Sequence, residues 1–111
     1  MLNNVVLVGR LTDDPLLNET NGGVKVSNIT LAINRSFKNK DGKYDADFIR
    51  ATLWKDIAEN TVKYIHKGDI IGVIGRIQNN KYKDKDGNDQ YSNEIVADKV
   101  VFVSSKREGG E

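Results

Sequence analysis

Asp47-Phe48-Ile49-Arg50-Ala51-Thr52-Leu53-Trp54 is the stretch that decides the fold. Read with the two-residue period of a strand, it puts Ile49, Ala51 and Leu53 on one face and Phe48, Arg50, Thr52 and Trp54 on the other. The first set is an ordinary core face. The second runs ring, cation, hydroxyl, ring, an unusual series for a solvated surface. Flat rings flanking a guanidinium suit a flat ligand strung on an anionic backbone. The competing reading has both rings covered by a neighbouring element, with Arg50 a solubility charge. The strand alone supports either.

The neighbouring segments extend the pattern in both directions. Upstream, residues 24–37 form a strand in which Ile29, Leu31 and Ile33 alternate with Asn28, Thr30, Ala32 and Asn34, and Arg35 and Phe37 lie at its far end. The loop 38–46 carries the turn signal Asp41-Gly42. Earlier still, residues 3–11 contain Val5-Val6-Leu7-Val8, which reads as a strand buried on both faces. A small barrel has one inward face, so the other is expected to be covered by a partner subunit or another element. Pro15 closes this strand, and Asn21-Gly22-Gly23 marks a tight turn.

Downstream, residues 56–67 switch to helical spacing. Asp56 and Glu59 form a capping-box pattern, and Ile57, Ala58, Thr61, Val62 and Ile65 share an apolar face. Lys63, His66 and Lys67 are placed in the last turn, where cations suit the dipole, and Gly68 is the stop. Residues 69–82 return to strand, with Ile71, Val73, Gly75 and Ile77 opposite a face ending in Arg76, Gln78, Asn80 and Tyr82. Gly72 and Gly75 allow a sharp bend or a close backbone approach. A polar hairpin tip surrounds Asp86-Gly87. The last strand, 91–103, has its alternation broken at Ala97-Asp98-Lys99, which predicts a bulge. Phe102 is assigned to the core and Tyr64 to packing at one end of the helix.

The order strand, strand, strand, helix, strand, strand is that of a five-stranded OB-fold Greek-key barrel, all-β with one helix between the third and fourth strands. One domain is expected over residues 1–103, followed by a short frayed tail at 104–111. Such barrels commonly take oligonucleotides on the face of the second and third strands and between the flanking loops.

Composition narrows the chemistry. At 111 residues, 38% hydrophobic and 30% charged, the chain is a globular domain with one core. It has no cysteine, which removes disulfides, thiolate-bound zinc and thiol nucleophiles and fits a reducing compartment. No apolar run is long enough to span a membrane. The single histidine, His66, reads as a dipole partner rather than a catalytic base, and no hydrolase or nucleotide-loop motif is present. Asp84, Asp86 and Asn88 imitate the start of a calcium loop, but Gly87 and Ile95 occupy the wrong positions for one. No metal and no cofactor are expected, and the chain is read as a non-enzyme.

The net charge of +1 hides an uneven distribution. Segments 35–55 and 76–85 hold ten basic residues against four acids, and the rest of the chain holds seven against twelve. The cationic half contains Phe37, Phe48, Trp54 and Tyr82. Rings that stack on bases tolerate any sequence, and Arg35, Arg50, Lys55, Arg76, Lys81 and Lys83 are candidate phosphate contacts.

Over residues 2–103 the chain resembles the bacterial single-stranded DNA-binding protein family, including phage-encoded members. The resemblance is carried by Leu2-Asn3-Asn4-Val5-Val6-Leu7-Val8-Gly9-Arg10-Leu11-Thr12-Asp13-Asp14-Pro15, by Asn21-Gly22-Gly23, and by Thr30 to Arg35. It continues through Asp47-Phe48, Leu53-Trp54, Ala58-Glu59-Asn60, Tyr64 to Gly68, Gly75-Arg76-Ile77, Lys81-Tyr82 and Glu94 to Val103. It implies an OB fold, a homotetramer and sequence-independent wrapping of single-stranded DNA in replication, recombination and repair. It places the stacking positions on Phe37, Phe48, Trp54 and Tyr82, and cationic contacts on Arg50, Lys67 and, loosely, Lys81. Gln78 and Asn80 stand where the family often has basic residues. The family usually ends in a flexible linker and an acidic tip that recruits other proteins, and the sequence stops at Glu111 with neither, so recruitment by that route is not expected.

Val5, Val6, Leu7 and Val8 are the expected oligomer contacts, and the expected location is the bacterial cytoplasm or nucleoid. The alternative function is a related OB module that mainly bridges replication proteins, with DNA a secondary ligand.

Overall fold

The computed structural model describes residues 1–105. Strands β1 (Val5–Leu11), β2 (Asn18–Glu19), β3 (Lys25–Lys38) and β4 (Tyr44–Trp54) precede helix α1 (Lys55–Tyr64), and β5 (Ile70–Lys83) and β6 (Asp89–Ser104) follow. The sheet order is β1-β5-β6-β4-β3-β2, and β1 also pairs with β3. That last pairing closes β1, β3, β4, β6 and β5 into a barrel. The helix lies between the third and fourth of these long strands, as the sequence predicts. The two-residue β2, paired with Lys25 and Val26, was not foreseen. It is too short for alternation to register.

The core is the inward set of each strand. Leu11, Leu31, Leu53, Ile71 and Val73 are fully buried, and Ile29, Ala51, Ala58, Ile65 and Ala97 complete the cluster. β1 turns one face inward, as a small barrel requires. Val5 and Leu7 face inward and are half-buried, while Val6 and Val8 are 69% and 53% exposed. No described element covers them.

Barrel closure depends on β6. The expected bulge is present: Ile74 pairs with Lys99 but Gly75 pairs with Ala97, which leaves Asp98 unpaired in the ladder. Gly75 is required there, since a Cβ at this position would lie 2.1 Å from the Val96 carbonyl oxygen. β4 meets β6 in parallel at only two positions, Ala51 with Ile95 and Thr52 with Val96. Beyond this short seam the β3–β4 and β5–β6 hairpins separate.

The helix begins one residue earlier and ends three residues earlier than its periodicity implies. Trp54 occupies the N-cap position in an extended conformation without a side-chain cap, so Asp56 and Glu59 do not form the expected box. Lys55 turns the chain sharply, at φ 55°. Only Lys63 lies in the last turn. His66 and Lys67 lie beyond it, in a loop fixed by its own bonds. The Asp69 carboxylate accepts the His66 N–H at 2.8 Å, Asp14 accepts the Lys67 N–H at 2.7 Å, and Arg10 donates to the Gly68 carbonyl at 2.8 Å. Phe102 and Tyr64 are also corrected. They are 49% and 64% exposed and line a groove beside α1 with Asn60, Thr61, Ile65 and Val100, because the barrel end there is open. Ser104 belongs to β6 rather than to the tail, and residues 106–111 of that tail lie outside the described residues.

Both long hairpins turn through the same loop. Asn39 Oδ1 accepts the N–H groups of Asp41 and Lys43 at 2.9 and 3.0 Å, and Asp84 Oδ1 accepts those of Asp86 and Asn88 at 2.9 Å each. Gly42 and Gly87 supply the left-handed residue at φ 78° and 81°. The loops differ in charge. The N–H groups of Asn88, Asp86 and Gly87 and the side chain of Gln90 hold the Asp84 carboxyl below its ordinary range. A carboxyl lowered by folding stabilises the native loop above its unfolded pKa, and that contribution disappears as pH falls through the folded value. The β5–β6 tip is therefore expected to loosen in acid, seen as shifts of the Asp86 and Asn88 amide resonances, while the Asn39 tip stays fixed. Asp84→Asn should keep the loop and abolish its acid response. An acid response surviving that substitution would contradict the assignment.

Candidate nucleic-acid interface

The outward face of β4 carries Phe48, Arg50, Thr52 and Trp54, as its alternation requires. Opposite them on β3 stand Ala32, Thr30, Asn28 and Val26. Phe48 is 66% exposed, because its cross-strand neighbour Ala32 is too small to cover it. Trp54 is half-buried where the strand gives way to α1. The covered-surface reading therefore fails for Phe48.

Phe37 and Tyr82 stand on the two arms. Phe37 is 67% exposed within the irregular stretch of β3 between Asn34 and Lys38, where the register with β4 shifts. Tyr82 is 54% exposed near the end of β5, two residues from Asn80 and on the same side of its strand. The groove between the arms is lined by Arg50 and Thr52 from β4, Asn28 from β3, Asn80 from β5, and Ser92, Asn93, Glu94 and Ile95 from β6. The fold thus puts Phe48, Arg50 and Trp54 on one strand face, Phe37 on the arm beyond them, and Tyr82 across a polar groove.

The candidate cations divide into two groups. Arg35 grips Asp47 with a two-nitrogen fork at 2.9–3.3 Å, Arg76 meets the bulged Asp98 at 2.7 Å, and Lys81 and Lys83 share Asp89 at 3.2 and 3.0 Å. The Arg35 guanidinium holds the Asp47 carboxyl below its ordinary range. Arg50, Lys55 and Lys67 form no ion pair among the described residues. All these pairs are surface pairs in water. Each contributes little to stability, and a competing phosphate meets little resistance from them.

Two features escape sequence periodicity. Arg10 pairs with Ala32, which pairs with Phe48, so a cation from β1 lies in one row with a ring on β4. Lys67 lines the same surface depression as Arg10 and Ala32. The second is a polar ladder over the β4–β6 seam. The Thr52 hydroxyl lies 3.0 Å from Asn28 Oδ1 and 2.8 Å from Glu94 Oε2, and Asn80 donates to Glu94 Oε1 at 3.2 Å. Four strands contribute one residue each, so no single stretch of sequence displays the cluster. Among the described residues no group of acids and histidine is arranged to hold a metal ion, and no helix is long and apolar enough to cross a membrane.

Residues 2–103 match the model of the single-strand binding protein family. The chain is 49% identical over 106 residues to single-stranded DNA-binding protein B of Bacillus subtilis (strain 168), covering 96% of this chain and 94% of that one. It is 50% identical over 109 residues to single-stranded DNA-binding protein 3 of Listeria innocua, covering 98% of this chain and 68% of the relative. Against single-stranded DNA-binding protein 1 of Staphylococcus aureus (strain MSSA476) it is 48% identical over 106 residues, covering 96% and 68%. With a family match over nearly its whole length and relatives near one-half identity, on an OB barrel, the chain belongs to the single-strand binding protein family, a family of non-enzymatic DNA-binding proteins.

Proposed function

We propose that this protein holds single-stranded DNA without regard to sequence overall, by stacking bases on Phe48, Trp54, Phe37 and Tyr82 while cations track the phosphates. The observation that carries this reading is the exposed ring of Phe48 beside the unpaired guanidinium of Arg50 on the β4 face. An aromatic ring left in water without a covering neighbour offers its face to a base, which stacks on it whatever its identity. Arg50, Lys55 and Lys67 meet phosphates directly. Arg35, Arg76, Lys81 and Lys83 do so by exchanging a carboxylate for a phosphate. Binding the single strand alone draws hairpins and duplex ends toward the open form by mass action. This serves replication, recombination and repair, where exposed strands must be kept from re-pairing, and it places the protein in the bacterial cytoplasm or nucleoid.

The exposed apolar sheet face supports self-association. Val6 of β1 pairs with Ile74 of β5, and Val8 continues through Gly72 to Val101 of β6, with Lys99 at the end of the Val6 row. A continuous apolar surface of this kind marks a protein contact. A second copy of the chain presents the same surface, and two such faces in a homotetramer cover one another. Val5 and Leu7, half-buried in their own barrel, support that face from beneath.

Phe48→Ala should leave folding intact, since the ring is exposed, and weaken oligo(dT) binding by about 1–3 kcal/mol. Affinity should fall with salt, with a log–log slope of about −0.7 for each phosphate neutralised. Unchanged affinity in the variant, or a flat salt profile, would contradict the reading. A Val6→Lys, Val8→Lys double variant should sediment at a lower mass than wild type, whereas an unchanged mass would remove this face from the oligomer contact.

A further inference from the structure

The β5–β6 arm has two faces, and the path of four rings uses one of them. Side chains alternate along each strand, and residues paired directly across the two strands share a face. Asn80 and its partner Ser92 line the groove, so Tyr82 and its partner Gln90 also lie on the groove side. Lys81 pairs with Tyr91 and Lys83 with Asp89, which puts these four on the rear side. That rear side repeats the ring-and-cation character of β4. Tyr91 is 63% exposed, with Lys81 opposite it and Lys83 one step nearer the tip. The Asp89 carboxylate spans both ammonium groups, Oδ2 lying 3.2 Å from Lys81 and Oδ1 3.0 Å from Lys83. Among the described residues no other acid holds two cations. Two cations against one anion leave the cluster positive. An oxyanion bridging two ammonium groups is also the arrangement that a phosphate would take there.

We propose that the rear face of this arm is a second nucleotide site, where a base stacks on Tyr91 and a phosphate settles between Lys81 and Lys83 in place of the Asp89 carboxylate. This site presupposes the single-stranded DNA reading and extends it to a surface that the four rings do not reach. The chain's own carboxylate holds the site in the free protein, and the strand holds it in the complex. Both ion pairs are exposed to water, so the exchange costs little. The displaced Asp89 takes up a counterion from solution, which offsets part of the ion release from the DNA. A contact of this kind therefore adds less to the salt slope than an unpaired cation does. The arm is only two strands wide, about 4.8 Å between them, so a few nucleotides carry the backbone from Tyr82 around it. Tyrosine also favours strand conformation, but a role confined to the hairpin would be kept by any good strand former.

Two substitutions at one position separate stacking from strand stability. Tyr91→Phe keeps the ring, and Tyr91→Thr keeps the strand preference without it. Titrated with poly(dT), Tyr91→Phe should bind as wild type does. Tyr91→Thr should bind about five- to a hundredfold more weakly, the scale of one lost stack, and cover fewer nucleotides per chain at saturation. Equal affinity and coverage in wild type and Tyr91→Thr would overturn the rear site and leave the single-stranded DNA reading standing. Failure of wild type to bind poly(dT) would remove both. A second comparison tests the phosphate position. Asp89→Asn and Asp86→Asn make the same charge change on the same hairpin, but Asp86 forms no ion pair among the described residues. Asp89→Asn should bind roughly two- to fivefold more tightly than Asp86→Asn, with a steeper salt slope. Equal affinity and slope in these two variants would overturn the proposal.

Discussion

The two-residue parallel seam between β4 and β6 is the constraint on which the rest of the structure depends. It joins Ala51 and Thr52 to Ile95 and Val96 and closes the barrel. Extending it would zip the two hairpins together, and the groove between Arg50 and Glu94 would disappear. Shortening it would open the barrel wall beside the core residues Leu53 and Ala97. The bulge at Asp98 and the missing side chain at Gly75 let β6 approach β5 closely and still reach β4. Thr52, 6% exposed, stands on the seam itself and ties Asn28 and Glu94 across it. Closure and groove are therefore one feature: the strands meet only where the core needs them and part where the arms begin.

Charge is arranged on this frame with a similar division. Some cations of the arms touch carboxylates, Arg35 with Asp47 on one side and Lys81 and Lys83 with Asp89 on the other, while Lys40, Lys43 and Lys85 near the hairpin tips form no ion pair among the described residues. The β4 face and the helix-end loop carry theirs unpaired. Fixed pairs keep long side chains ordered along the hairpins, and unpaired cations set the attraction felt by an approaching polyanion. Since the net charge is only +1, that attraction depends on where the charges lie rather than on how many there are.

Much of the frame was legible in the sequence because it rests on local periodicity. The alternation of Phe48, Arg50, Thr52 and Trp54, the helix before the fourth long strand and the bulge at Asp98 all follow from side-chain order within one segment. The errors arose where a neighbour decides the outcome. Nothing in Val5-Val6-Leu7-Val8 says which pair faces inward. Phe102 reads as core until the open barrel end is seen. Asp56 looks like a cap until Trp54 and Lys55 set the chain's entry into α1. The ladder of Asn28, Thr52, Asn80 and Glu94 was invisible for the same reason, since it exists only through cross-strand register. Likewise the pairing of Arg35 with Asp47 separates residues twelve apart in sequence that the β3–β4 hairpin brings together.

Trp54 is the only tryptophan in the chain and stands at one end of the ring face, so its emission reports directly on the surface at issue. The most direct measurement is its fluorescence during titration with poly(dT), with the mass of the complex followed in the same samples. The account predicts saturable quenching that high salt reverses and that an equal quantity of duplex does not produce. Emission unchanged while poly(dT) is bound would place the strand elsewhere on the protein and contradict the account.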